Sequence, residues 1–147
     1  MSSITKNDMT VRWEQQGEFL RFELEAPTQG WLAIGFNPKD QLAHTQLIMA
    51  CVEQGKPKVE DFWVLAPGDY RPVSSLQGKA ATTQVEGKES TRGTTMSFYV
   101  PIQAVDRYHY DLHGHTSFNL LMAYSQSDDF MHHSIMRTSV TVSLLKD

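Results

Sequence analysis

The chain has 147 residues, of which 40% are hydrophobic and 20% charged. That is one domain's length with enough apolar mass for a packed core, which excludes a disordered chain. A net charge of -4 argues against nucleic-acid binding, which draws on basic surfaces, and the longest apolar run, Leu47 to Val52, is far below the ~20 residues of a membrane helix.

The opening Met1-Ser2-Ser3-Ile4-Thr5-Lys6 is polar and lacks the apolar stretch of a signal peptide. The chain is therefore either cytoplasmic or separated from its signal. Thr10 to Gln15 alternates, with Val11 and Trp13 opposing Arg12 and Glu14. After a turn at Gln16-Gly17-Glu18, Phe19 to Ala26 has period two, placing Leu20, Phe22 and Leu24 on one face. Trp31 to Phe36 is continuously apolar, the pattern of a strand covered on both faces, and Asn37-Pro38-Lys39-Asp40 ends it. Strands are expected over Leu47 to Val52 and Val59 to Leu65, then a long surface loop from Ala66 to Gly78. A hairpin follows, Thr82 to Glu89 with Thr94 to Val100, and Ser117 to Tyr124 and Ser139 to Leu145 complete the set.

No stretch of ten residues carries the i, i+3, i+4 pattern of an amphipathic helix. Short strands separated by turns at intervals near 8–12 residues indicate an all-β antiparallel sandwich of about nine to eleven strands, immunoglobulin-like. No repeat or linker divides residues 1–147. Such a frame presents binding residues on its loops.

The densest chemistry lies in Ser127 to Arg137, which holds Asp128, Asp129, Met131, His132, His133, Met136 and Arg137. Histidine is the commonest metal and haem-iron ligand. On an extended chain His132 and His133 would point to opposite sides, so only one could face a given pocket. Arg137 suits a carboxylate, from a ligand or from Asp128 or Asp129. A second cluster, His109, Asp111, His113 and His115, offers zinc or copper donors without the spacing of a common site. His44 stands alone in a loop. Cys51 has no companion for a disulfide or a cysteine-based zinc site and, within its apolar run, reads as a small buried hydrophobe. There is no Gly-x-Ser-x-Gly elbow and no phosphate-binding glycine loop, so a binding module is expected rather than an enzyme. The carboxylate pairs Asp128-Asp129 and Glu60-Asp61 do not suffice for glycoside hydrolysis.

Taken in order, Gly30-Trp31-Leu32-Ala33-Ile34-Gly35-Phe36, Leu47 to Val52, Val59-Glu60-Asp61, Leu76-Gln77-Gly78, Thr94 to Phe98, and Leu121 to Ser125 leading into Asp128-Asp129-Phe130 resemble a DOMON domain. The resemblance covers Val11 to about Leu145. It implies a β-sandwich, export to the periplasm or outside the cell, and in some members a haem b held by a methionine and a histidine. Carried over, the histidine falls on His133, or on His132 if the register slips. The methionine position is Leu42, a departure, since leucine cannot ligate iron. His44 is then one candidate for the second axial ligand. Met49 is another if its sulfur faces the pocket rather than the core. The further alternatives are a five-coordinate iron, or a pocket without haem that takes a sugar or other small molecule. For the sugar, Trp63, Tyr70, Tyr108 and Tyr110 would supply stacking faces. A redox partner protein and a homodimer through edge strands are the expected protein contacts.

Overall fold

The computed structural model describes residues 1–113 and 117–145. Over these the chain forms eleven strands: β1 (Ser2–Lys6), β2 (Met9–Gln16), β3 (Phe19–Ala26), β4 (Leu32–Asn37), β5 (Gln46–Glu53), β6 (Lys56–Ala66), β7 (Asp69–Pro72), β8 (Thr83–Ser90), β9 (Gly93–Pro101), β10 (Ser117–Tyr124) and β11 (Met136–Ser143). One turn of 3-10 helix, Val73–Leu76, follows β7. Two antiparallel sheets result, ordered β1-β2-β3-β9-β8 and β11-β10-β4-β5-β6-β7. This is the β-sandwich anticipated from the alternation. No helix among the described residues is long and apolar enough to cross a membrane.

The main core lies between the sheets. Leu20, Phe22 and Leu24 of β3 meet Ile34 and Phe36 of β4 and Phe98 of β9 in one cluster. The Phe22 ring centroid lies 5.5 Å from that of Phe36 and 6.2 Å from that of Phe98. Each such ring removes on the order of 150–250 Å² of apolar surface from water, which makes these contacts the main hold between the two layers.

The six-stranded sheet buries its other face too. Every residue of β4 is buried, as are all of β5 but Glu53. Ala33, Leu47, Met49, Cys51, Phe62, Val64, Leu121 and Ala123 form a second apolar cluster there, covered by Trp31 and Phe130 from adjoining loops. This explains why the β4 segment is apolar without alternation. It also puts an apolar surface on the outside of the sandwich, where a site can form.

Three elements differ from the sequence reading. The polar start is a strand, β1, hydrogen-bonded along the edge to β2. The loop assigned to Ala66–Gly78 contains β7 and the 3-10 turn. The last strand begins at Met136 rather than Ser139, because it pairs with β10 from Tyr124↔Met136 onward.

Candidate functional site

A depression of about 220 Å³ opens on the outer face of the six-stranded sheet. Its floor follows from the register. Met49 pairs with Ala33, Ala33 with Ala123, and Ala123 with Arg137, giving one row across β5, β4, β10 and β11. With strands ~4.8 Å apart, this row separates Met49 from Arg137 by roughly 14 Å, and the two positions between them carry only methyl groups. Small side chains on the central strands, between larger ones on the flanking strands, make the sheet face concave. Trp31, Leu47, Val64 and Leu121 complete the apolar wall, and Leu42 closes it from the 38–45 loop.

The segment 126–135 forms the rim, and it is held at many points. The Trp31 N–H donates to the Ser127 carbonyl and the Ser125 N–H to the Trp31 carbonyl, each at 2.9 Å. The Ile135 N–H donates to the Tyr124 carbonyl at 2.9 Å. Side chains bind three more carbonyls: Trp31 Nε1 donates to His132 O at 3.2 Å, Ser125 Oγ to His133 O at 2.9 Å, and the Tyr70 hydroxyl to Phe130 O. Gly30 is required beneath this loop, since a Cβ there would lie 2.2 Å from the Ser125 carbonyl oxygen.

These bonds use backbone groups of the segment, and among the described residues neither the His132 nor the His133 imidazole makes a hydrogen bond or ion pair. His132 and His133 both line the depression, with ring centroids 4.4 Å apart and planes 26° apart. The expectation that they point to opposite sides is thereby corrected. It assumed an extended chain, whereas a turn closed by the His132 N–H on Asp129 O brings both rings to one side. Arg137 lines the same depression, and among the described residues no carboxylate lies within ion-pair distance of it, Asp128 and Asp129 included. Met49 is 1% exposed and borders the cavity. Burial, followed by the nearby Asp129, pushes the Tyr70 hydroxyl up. The Asp128 carboxyl is likewise raised, by burial first and then by Glu53.

His44 is not brought to this depression. Its backbone adopts φ 68, its N–H donates to Val64 O at 2.7 Å, and its ring stacks on Trp63 at 6.0 Å. Trp63 leaves β6 on the side opposite Phe62 and Val64. It also contacts the rings of Tyr108 and Tyr110, at 5.7 and 5.8 Å. Three of the four aromatics considered for sugar stacking therefore pack together, edge-on or tilted, and none of them lines the depression. The fourth, Tyr70, packs on Phe62 beside the depression.

The second histidine cluster divides. His109 is buried, with Nδ1 2.6 Å from Asp106 and Nε2 3.3 Å from Asp61. Asp111 accepts from the Ala104 N–H at 2.7 Å, His113 is exposed, and His115 lies outside the described residues. Among the described residues no group of three or more His, Cys, Asp or Glu side chains could hold a metal ion. The Asp61–His109–Asp106 arrangement was missed in the sequence because Asp61 is 48 residues from its partner. Burial opposes charge on His109, but its hydrogen bonds to Asp61 and Asp106 outweigh it and hold the imidazole above its usual value. In turn burial would raise Asp61, but His109 and the Ala81 and Thr82 N–H groups hold it below the usual carboxylate range.

A larger depression, about 470 Å³, lies at one end of the five-stranded sheet. It is lined by Asp8, Glu25, Lys88 and Arg92, whose charges balance, and it holds no histidine, methionine or aromatic ring. The smaller, apolar depression with its imidazoles is therefore the candidate site.

The DOMON domain family profile matches residues 5–125. Among curated proteins, the chain is 34% identical over 56 residues to DBH-like monooxygenase protein 1 of Mus musculus, a stretch covering 38% of this chain. It is 30% identical over 67 residues to MOXD1 homolog 2 of Drosophila melanogaster, or 46% of this chain, and 30% identical over 54 residues to DBH-like monooxygenase protein 1 of Homo sapiens, or 37%. Each match spans only 9% of the relative's own length. The family match ends at Ser125, so His132, His133 and Arg137 lie beyond it.

Proposed function

The chain belongs to the DOMON domain family, and on that premise we propose that it is a haem b binding domain serving electron transfer or redox sensing. The observation that carries the reading is the gathering of His132, His133, Met49 and Arg137 around one apolar depression. The donor set fits the group. An imidazole from the tethered 126–135 loop would hold the iron, with His133 the first choice and His132 its stacked neighbour. Met49 is the thioether that borders the same cavity, and it replaces the sulfur that Leu42 lacks. Arg137, which has no carboxylate within ion-pair distance among the described residues, would receive a propionate.

When bound, the iron supplies one-electron chemistry, and the protein's part is ligation, polarity and access. The depression is smaller than the ~300–1,000 Å³ of sites that engulf a ligand of drug size. A macrocycle held in so shallow a depression would stay partly open to solvent, which suits exchange of electrons with a partner protein. Family membership supports a periplasmic or extracellular role.

Titration with haemin tests the reading. The native chain is expected to give a shifted, saturable Soret band at one equivalent, and the His132→Ala/His133→Ala double variant to lose it. A double variant that retains the native spectrum removes both histidines from the account.

A further inference from the structure

The six-stranded sheet ends at β11, and among the described residues no strand pairs with its outer edge. We propose that a second copy of the chain adds there, β11 against β11 in antiparallel sense, so that two six-stranded sheets join across a twofold axis. The proposal does not depend on what fills the depression.

A row of unpaired N–H and C=O groups is a template for another strand, and proteins blunt such edges with charge, proline, bulges or short length. Three of the four edge strands are blunted in this way. β7 has four residues and ends in Pro72. β8 carries Glu86, Lys88 and Glu89, and its register shifts between Thr83 and Glu86. β1 is five residues long and ends in the exposed Lys6. β11 has none of these devices. It runs for eight residues without proline or glycine, and Arg137 is its only charge. Its register with β10 is unbroken from Ser117↔Ser143 to Tyr124↔Met136. Its inner face is also unfinished, because Met136, Val140 and Val142 pack on the main core yet stay only partly buried.

The pattern of β11 selects a copy of itself as the occupant. Odd-numbered residues share the outer face with Arg137, and even-numbered ones face the core. Residues opposed across an antiparallel pair lie on the same face. With Val140 opposite the second copy's Val140, Thr138 meets Val142 on the inner face. On the outer face Ser139 meets Thr141 and Arg137 meets Ser143. Each pair matches in kind, and no like charges are opposed. Just beyond the strand, Ile135, which is 48% exposed, comes level with the second copy's Leu145. The same surface serves both copies, as a closed twofold dimer requires.

The second copy also adds to the site. The row Met49–Ala33–Ala123–Arg137 stops at the sheet edge. Pairing extends it by the second copy's Ser143, whose hydroxyl stands beside the Arg137 guanidinium. Both depressions then open on one face of the joined sheet, with their Arg137 positions ~20 Å apart, six residues along a strand.

Sedimentation velocity on the native chain without haem tests this, from about 10 µM to about 1 mM, the range for an interface at the low end of the size scale. A reversible monomer–dimer equilibrium is expected. Ser139→Lys/Thr141→Lys opposes two pairs of lysines and should weaken self-association roughly tenfold or more. Ser139→Glu/Thr141→Glu should do the same, and mixing the two variants should restore a one-to-one dimer. Circular dichroism melting checks that both fold. A native chain that stays monomeric throughout overturns the proposal. So does a dimer that persists in both variants, or a mixture that stays monomeric. Amide exchange on the native chain reads the edge without any substitution: β11 should gain protection with concentration while β1 and β8 do not. Protection of β11 that is independent of concentration overturns it as well.

Discussion

Substituting His109 with alanine should be the most destabilising single change outside the core, and the structure sets its size. The His109 side chain is 5% exposed and that of Asp61 4%. A carboxylate at each nitrogen favours the charged ring, in which both nitrogens donate. It bridges Asp61 on β6 to Asp106 in the segment after β9. Asp61 also accepts from the Ala81 N–H at 2.6 Å and the Thr82 N–H at 3.2 Å, and Asp106 from the Lys79 N–H at 2.6 Å and the Tyr108 N–H at 2.9 Å. The triad therefore fastens two irregular segments to the edge of the sandwich.

Removing the ring deletes two charge-assisted hydrogen bonds at about 1.5–3 kcal/mol each, and leaves Asp61 buried without its counter-charge. The expected loss is about 3–5 kcal/mol, a large part of the ~5–15 kcal/mol that holds a domain folded. At about 2–4 °C per kcal/mol for a chain of this size, the melting temperature should fall by roughly 6–20 °C.

The pH dependence carries the sign. His109 is held above its unfolded value, so its contribution is complete below about pH 6.5 and lost as pH rises through the raised value. Asp61 and Asp106 are held below theirs, in Asp106 because the Lys79 N–H and then His109 outweigh burial. Their contribution is complete above about pH 4 and lost as pH falls through the lowered values. Urea unfolding at pH 5.5, 7 and 9 should show the native chain weakening toward pH 9 and His109→Ala lacking that slope. A variant within about 0.5 kcal/mol of the native chain at pH 5.5, the range of a neutral surface change, would refute the reasoning.

Gly30→Ala places a methyl against the Ser125 carbonyl and should lower the melting temperature while displacing the 126–135 rim, detected as weaker haemin binding in a chain that still folds. Cys51 is fully buried, and burial, with Asp128 adding, pushes its thiol up to about 11. Ellman's reagent at pH 8 should therefore find no reactive thiol in the native protein and one equivalent in urea. Leu42→Met adds a thioether to the wall of the cavity and, in a Met49→Leu background, should restore the low-spin spectrum. His44→Ala should leave the haemin spectrum unchanged, since that ring stacks on Trp63. A shift to high spin in the latter would return His44 to the iron.

Much of the fold was legible because burial on one face forces period two. Leu20, Phe22 and Leu24 declared their side of β3, and the unbroken run in β4 announced a strand covered twice. Edge elements were harder to read. β1 has one free edge and no fully buried residue, so Ser2–Lys6 carries no apolar signature. β7 is four residues long and sits among prolines and glycines that mark a loop. The site was half legible. The histidine pair and Arg137 stand out by type, but their joint orientation depends on a turn closed through Asp129 and on carbonyls held by Trp31, Ser125 and Tyr70. The concave floor of Ala33 and Ala123 needs the strand register, which no local pattern encodes. His44 looked promising as a replacement for the methionine missing at Leu42, and only the packing of Trp63 shows where its ring goes.

The most direct measurement is the absorption spectrum of the protein expressed with haem available, recorded oxidised and dithionite-reduced. The account expects a Soret band with sharp reduced α and β bands, shifted toward high spin by Met49→Leu. A colourless protein that takes up no added haemin would contradict it.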